Sequence, residues 1–106
     1  MDAKKRKRLE AAGWTVSDAA SFLKLTPAEA ALVEIRLALS RSLRERRLAA
    51  NLTQTELAKR LGSSQSRVAK LEAGDPSVSL ELLIRALLSA GASRKDVAHA
   101  LTRRVA

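Results

Sequence analysis

Residues 54–73, QTELAKRLGSSQSRVAKLEA, constrain the fold more than any other stretch of the chain. Two short helical patterns flank a single glycine. Gln54 to Leu61 places Leu57, Ala58 and Leu61 on one face. Gly62 then breaks the pattern, and glycine takes a left-handed conformation at a helix C-terminus without steric cost. Ser64 is a good N-cap for a second helix running to Ala73. On that helix Val68 and Leu71 are three apart and share a face. Ala58 is small where the two helices should approach closely, and a large side chain there would push them apart. The spacing therefore predicts two helices joined by a tight turn.

The outward face of the second helix carries a chemical signal. Gln65, Ser66, Ala69, Lys70 and Ala73 fall opposite the Val68/Leu71 stripe. A helix fits the major groove of duplex DNA, where Gln pairs bidentately with adenine and Lys reaches guanine O6 or N7. Ser serves several bases, and an Ala methyl meets a thymine methyl. A polar helix face taken alone is usually just solvated. Here the glycine, the small residue, the apolar pair and a basic chain all agree with helix-turn-helix geometry, and Gln65, Ser66, Ala69 and Lys70 are the base-reading candidates.

The stretch from Gln54 to Gly74 resembles the helix-turn-helix of the Xre/Cro/CI repressor family. The likeness is carried by Gln54, Ala58, Gly62, Ser64-Gln65, Val68, Leu71 and Glu72-Ala73-Gly74, and it extends over roughly Ala28 to Val105. It implies an all-α, five-helix, lambda-repressor-like domain over residues 26–106, binding double-stranded DNA as a homodimer at a partly palindromic operator. The N-terminal stretch, with GWTV and FLKLTPAEAALVE, looks like small bacterial regulators of the HigA antitoxin type. That second likeness implies a RelE/HigB-like toxin as a further partner. A stand-alone or phage-derived regulator is the alternative, and a nonspecific nucleoid-type DNA binder a further one.

Phosphate contacts are expected around the reading helix. Gln54 opens a helix, where backbone N–H groups and the dipole attract an anion, and the family's matching glutamine bonds a phosphate. Arg67 flanks the reading face, and Arg44 and Arg46 are further candidates. Arg47 matches a family arginine that pairs with a glutamate at the end of the reading helix, here Glu72. With Ala58, Gly62, Val68 and Leu71, this pair forms the structural set of the motif.

The rest of the chain reads as helices between clear stops. Residues 1–25 form a basic extension with the block Lys4-Lys5-Arg6-Lys7-Arg8, in which Ser17 caps a short helix to Leu25. Trp14 and Phe22 are packing anchors. Thr26-Pro27-Ala28-Glu29 is a helix start with a cap, a first-position proline and a capping-box glutamate. That helix should run to about Ala50, with Leu32, Ile35, Leu39 and Leu43 as its apolar stripe. Thr53 and Glu56 form another capping box. Ser79 caps a helix from Leu80 to Ala90, and Ser93 with Asp96 caps one running to about Arg104. Such spacing leaves no room for a sheet. Leu80 to Val105 holds more apolar positions than one side of a small domain needs, so Val97, Leu101 and Val105 are the candidate dimer interface.

Composition narrows the function classes. A chain of 106 residues is one domain's length. Its net charge of +9 points to a polyanion partner. One Trp, one Phe and no Tyr argue against base stacking on single-stranded nucleic acid. The absence of cysteine excludes disulfides, thiolate zinc sites and cysteine catalysis. His99 is the lone histidine and has no ligand cluster in sequence, so no metal, cofactor or enzyme activity is expected. No apolar run reaches a membrane span and no signal peptide is evident, so a cytoplasmic, nucleoid-associated bacterial protein is expected.

Overall fold

The computed structural model describes residues 25–103. The expected N-terminal helix with Trp14 and Phe22, the basic block 4–8, and Val105 lie outside the described residues. Among the described residues there are five helices and no strand: α1 Pro27–Ala49, α2 Gln54–Leu61, α3 Gln65–Ala73, α4 Leu80–Ser89 and α5 Arg94–Thr102. The all-α, five-helix expectation holds.

Each start follows from its capping chemistry. The Thr26 hydroxyl accepts from the Glu29 N–H and the Glu29 carboxylate accepts from the Thr26 N–H, both at 3.1 Å. Thr53 with Glu56 and Ser93 with Asp96 repeat this reciprocal pair on α2 and α5. Ser64 and Ser79 cap α3 and α4 by accepting from the N–H three residues on. Gly62 and Gly74 close α2 and α3 in the left-handed region, with φ 63° and 68°. Asn51, with φ 57°, turns the chain between α1 and α2. Asn is one of the few residues that enters this region readily.

The long α1 is the spine. It packs against α3, α4 and α5, while α2 packs on α3 and α4 on α5. Leu39 and Leu43 of α1 meet Leu57 and Ala58 of α2, Val68 and Leu71 of α3, Leu83 and Leu87 of α4, and Val97 and Ala100 of α5 in one core. Two sequence expectations need correction. Leu32 is 53% exposed. Ala31, Glu34 and Ile35 of the same turns border α5, and the side of α1 that carries Leu32 is the one left uncovered. Val97, expected at a dimer surface, is buried in the subunit's own core, because α5 lies along α1 and spends that face there.

Candidate nucleic-acid interface

α3 is seated on the core by Val68 and Leu71, both fully buried. The opposite side holds Gln65, Ser66 and Lys70, all exposed, with Ala69 half-buried beside them. Arg67 is exposed as well. Neither Arg67 nor Lys70 forms an ion pair with a described residue. A short helix thus presents amide, hydroxyl, methyl and unpaired cationic groups on one rigid surface.

The orientation of α3 is set by a polar network. Arg47 near the end of α1 donates to both Glu72 oxygens, from Nε at 2.6 Å and Nη2 at 3.0 Å. Its Nη1 donates to the Leu52 carbonyl at 2.9 Å. The fork geometry suits a carboxylate, and charge-assisted bonds of this kind are the strong ones. The hydrogen bonds to Glu72 hold the Arg47 guanidinium above its ordinary value, against the opposing effect of burial. Gln54 Nε2 also donates to Glu72 at 3.2 Å, and Gln65 Nε2 donates to Gln54 Oε1 at 2.6 Å. The chain Arg47–Glu72–Gln54–Gln65 therefore runs from α1 across both ends of α3. The family resemblance anticipated the first pair. It missed that the Gln54 side chain, expected at a phosphate, orients Gln65, since residues on two different helices carry no fixed sequence offset.

The candidate arginines on α1 separate. Arg46 pairs with Asp96 of α5 at 3.2 Å and lines a groove with Leu87, Ala92, His99 and Arg103. Its first partner is therefore α5. Arg103 forms the neighbouring ion pair with Glu45 at 2.7 Å. Arg44 is exposed and has no ion pair among the described residues. Ala58 and Gly62 stand at the α2–α3 turn, Ala58 buried and Gly62 with open space where a Cβ would be. Leu101 is 41% exposed and borders a shallow groove with Ala31, Glu34 and Ile35 of α1. Among the described residues no His, Asp or Glu cluster could hold a metal ion, and no helix is long and apolar enough to cross a membrane.

Residues 43–88 match the family model described as Helix-turn-helix. No curated relative and no solved structure matches the chain. The matched span begins at the core residue Leu43, contains the Arg47–Glu72 pair, α2 and α3, and ends within α4. Residues 43–88 thus match a helix-turn-helix of the Xre/Cro/CI type, a module of DNA-binding transcriptional regulators.

Proposed function

We propose that the chain is a sequence-specific repressor that binds a partly palindromic operator as a homodimer. The observation that carries this reading is the outward face of α3. It presents Gln65, Ser66, Ala69 and Lys70 on a helix whose other face is fixed by the core and whose two ends are fixed by hydrogen bonds. Groups that read base edges need a rigid backbone to select one base over another. The net charge of +9 supplies the sequence-independent attraction. Arg67 and Arg44 serve as phosphate contacts.

The test is selection of bound duplexes from a random pool, followed by titration of the selected and scrambled sequences at several salt concentrations. A partly palindromic consensus is expected, with half-sites about one DNA turn apart. A salt-dependent affinity without a sequence ratio would instead identify a nonspecific binder.

The HigA-type likeness of the N-terminal stretch extends the proposal to an autoregulating antitoxin that holds a RelE/HigB-like toxin. A small basic reading frame beside the gene, whose product co-purifies with this chain, is the expected result. A gene with no such neighbour identifies a stand-alone regulator.

A further inference from the structure

Arg36 and Arg47 lie about three helical turns apart on nearly the same face of α1. Arg47 donates to the Leu52 carbonyl just before α2. Arg36 Nη1 donates to the Val78 carbonyl just before α4, at 2.5 Å. The two arginines thus brace the two loops that flank the helix-turn-helix. The brace at Leu52 belongs to the network already described. The one at Val78 opens a second site.

The loop from Asp75 to Ser79 is a local turn. Asp75 Oδ1 accepts from the Ser77 N–H at 2.8 Å, and the Asp75 carbonyl accepts from the Val78 N–H at 3.2 Å. It is anchored inward at Val78, whose side chain is buried and whose carbonyl meets Arg36. Its outer side forms one wall of a cleft of ≈ 430 Å³, lined by Ser77, Val78, Ser79 and Leu82, and the other wall is Arg67 and Lys70 of α3. Neither cation is answered by a carboxylate among the described residues. The Ser77 hydroxyl has no hydrogen bond there, and the Ser79 hydroxyl, which accepts from Leu82 N–H, keeps its own proton to donate. Arg67 and the two hydroxyl donors make a seat for a compact anion with several acceptor oxygens, and Lys70 borders it from the base-reading face.

We propose that Arg36 is a positioning residue for recognition of the DNA backbone. Its bond to the Val78 carbonyl holds the Asp75–Ser79 loop as the far wall of this cleft, and the cleft seats one phosphate of a duplex beside the bases that α3 reads. The proposal rests on α3 being the DNA-reading helix. A phosphate held there would fix the register of α3 along the groove without touching a base. The reach of Arg36 is indirect, since a half-buried guanidinium acts on DNA through the loop it holds.

The experiment is titration of a short labelled duplex of mixed sequence over about 50–250 mM KCl, below the melting transition of each variant. Arg36→Met keeps most of the apolar stem and removes the donors. It is expected to flatten the salt slope by about one and to weaken binding about tenfold at 0.1 M salt, the loss of one neutralised phosphate. Arg67→Ala should do the same, and the double variant should lose little more, because both act on one phosphate. A lowered melting temperature with an unchanged slope would show that Arg36 serves the fold alone and would overturn the proposal.

Arg36→Lys keeps a cation and a donor, and it is expected to restore part of the slope. If neither variant folds, the wild-type amide signals of Ser77 to Leu82 decide. They should shift on adding the duplex, and unmoved signals would overturn the cleft. A wild type that selects no sequence from a random pool would sink the base-reading assignment of α3 while leaving this comparison of slopes intact.

Discussion

Arg47 and Glu72 stand 25 positions apart in the chain and meet through two hydrogen bonds, 2.6 and 3.0 Å long, at the junction of α1 with the end of α3. The Glu72 side chain is only 4% exposed. Removing one partner strands the other's charge in a poorly solvated site. Glu72→Ala or Arg47→Ala is therefore expected to cost about 3–5 kcal/mol, and a joint replacement by Met and Leu considerably less. Chemical denaturation of the three variants is the check. Equal losses in the single and joint variants would mean that the pair contributes through packing and not through charge.

Gln54 and Gln65 should behave as a unit. Gln54 Oε1 accepts from Gln65 and Gln54 Nε2 donates to Glu72, so truncating Gln54 frees the Gln65 amide to rotate. Gln65→Ala is expected to lose about 1–3 kcal/mol of discrimination at one base position. Gln54→Ala should lose part of that same discrimination, and the double variant should lose less than the sum of the two. A strictly additive cycle, with Gln54→Ala weakening all sequences alike, would return Gln54 to a purely phosphate role.

The two left-handed glycines differ in what surrounds them. Gly62 has nothing within 4 Å of where a Cβ would sit, whereas at Gly74 that atom would lie 3.0 Å from Leu37 Cδ2. Gly62→Ala should cost only the left-handed backbone penalty, about 1–2 kcal/mol. Gly74→Ala should cost more, because the Leu37 side chain must also give way. Thermal melts that rank the two in the opposite order would show that Leu37 yields freely.

Much of this architecture is legible in the sequence because its signals are local. Three reciprocal capping pairs, two serine caps and the Gly62 stop all act within a few residues, and each fell where the side-chain chemistry demands. The α3 face was legible for the same reason, since three- and four-residue spacing fixes which side chains are neighbours. Contacts between helices were not. Arg36 drew no reading from the sequence, since nothing in its neighbours announces a carbonyl 42 positions away. Ser40 lies off the apolar stripe and drew no reading, yet it is buried against the approach of Gly74. Leu32 and Val97 were misplaced because periodicity gives the faces of a helix and not which neighbour covers each of them. The matched helix-turn-helix span reports the shared scaffold, which is why the base-reading side chains must be tested one by one.

The capping pairs also set a pH dependence. Hydrogen bonds from Thr26, Thr53 and Ser93 hold the carboxyls of Glu29, Glu56 and Asp96 below their ordinary values of 4.5, 4.5 and 3.8. A depressed native value means that the unfolded chain binds the proton more readily. The stability these groups contribute is fully present above about pH 5 and is lost as pH falls through the native values. Melting temperature should be flat from neutrality to near pH 5 and then fall. Glu56→Gln keeps an amide acceptor but cannot titrate, so it should flatten part of that fall. A variant whose melting curve tracks the wild type at every pH would show that Glu56 carries none of it.

Of the candidates for the dimer contact, Leu101 is the one that the described residues leave at the surface. Val97 is spent in the core, while Leu101 stands at the surface beside Ala31 and Ile35, with Leu32 exposed on the same helix as those two. Charging the two positions should therefore have opposite signatures. Val97→Glu buries an unpaired carboxylate and is expected to destabilise the subunit itself. Leu101→Glu should leave the fold intact and dissociate a two-fold interface that uses the same patch on both copies. The resulting monomer should hold a half-site weakly and lose most of its affinity for a full palindrome, whose half-sites lie about 34 Å apart. Sedimentation paired with operator titration reads both effects. A Leu101→Glu variant that remains dimeric, or a wild type that is monomeric at micromolar concentration, would move the interface off α5, and Leu48 and Leu88, the other large exposed apolar side chains among the described residues, would be the next positions to charge.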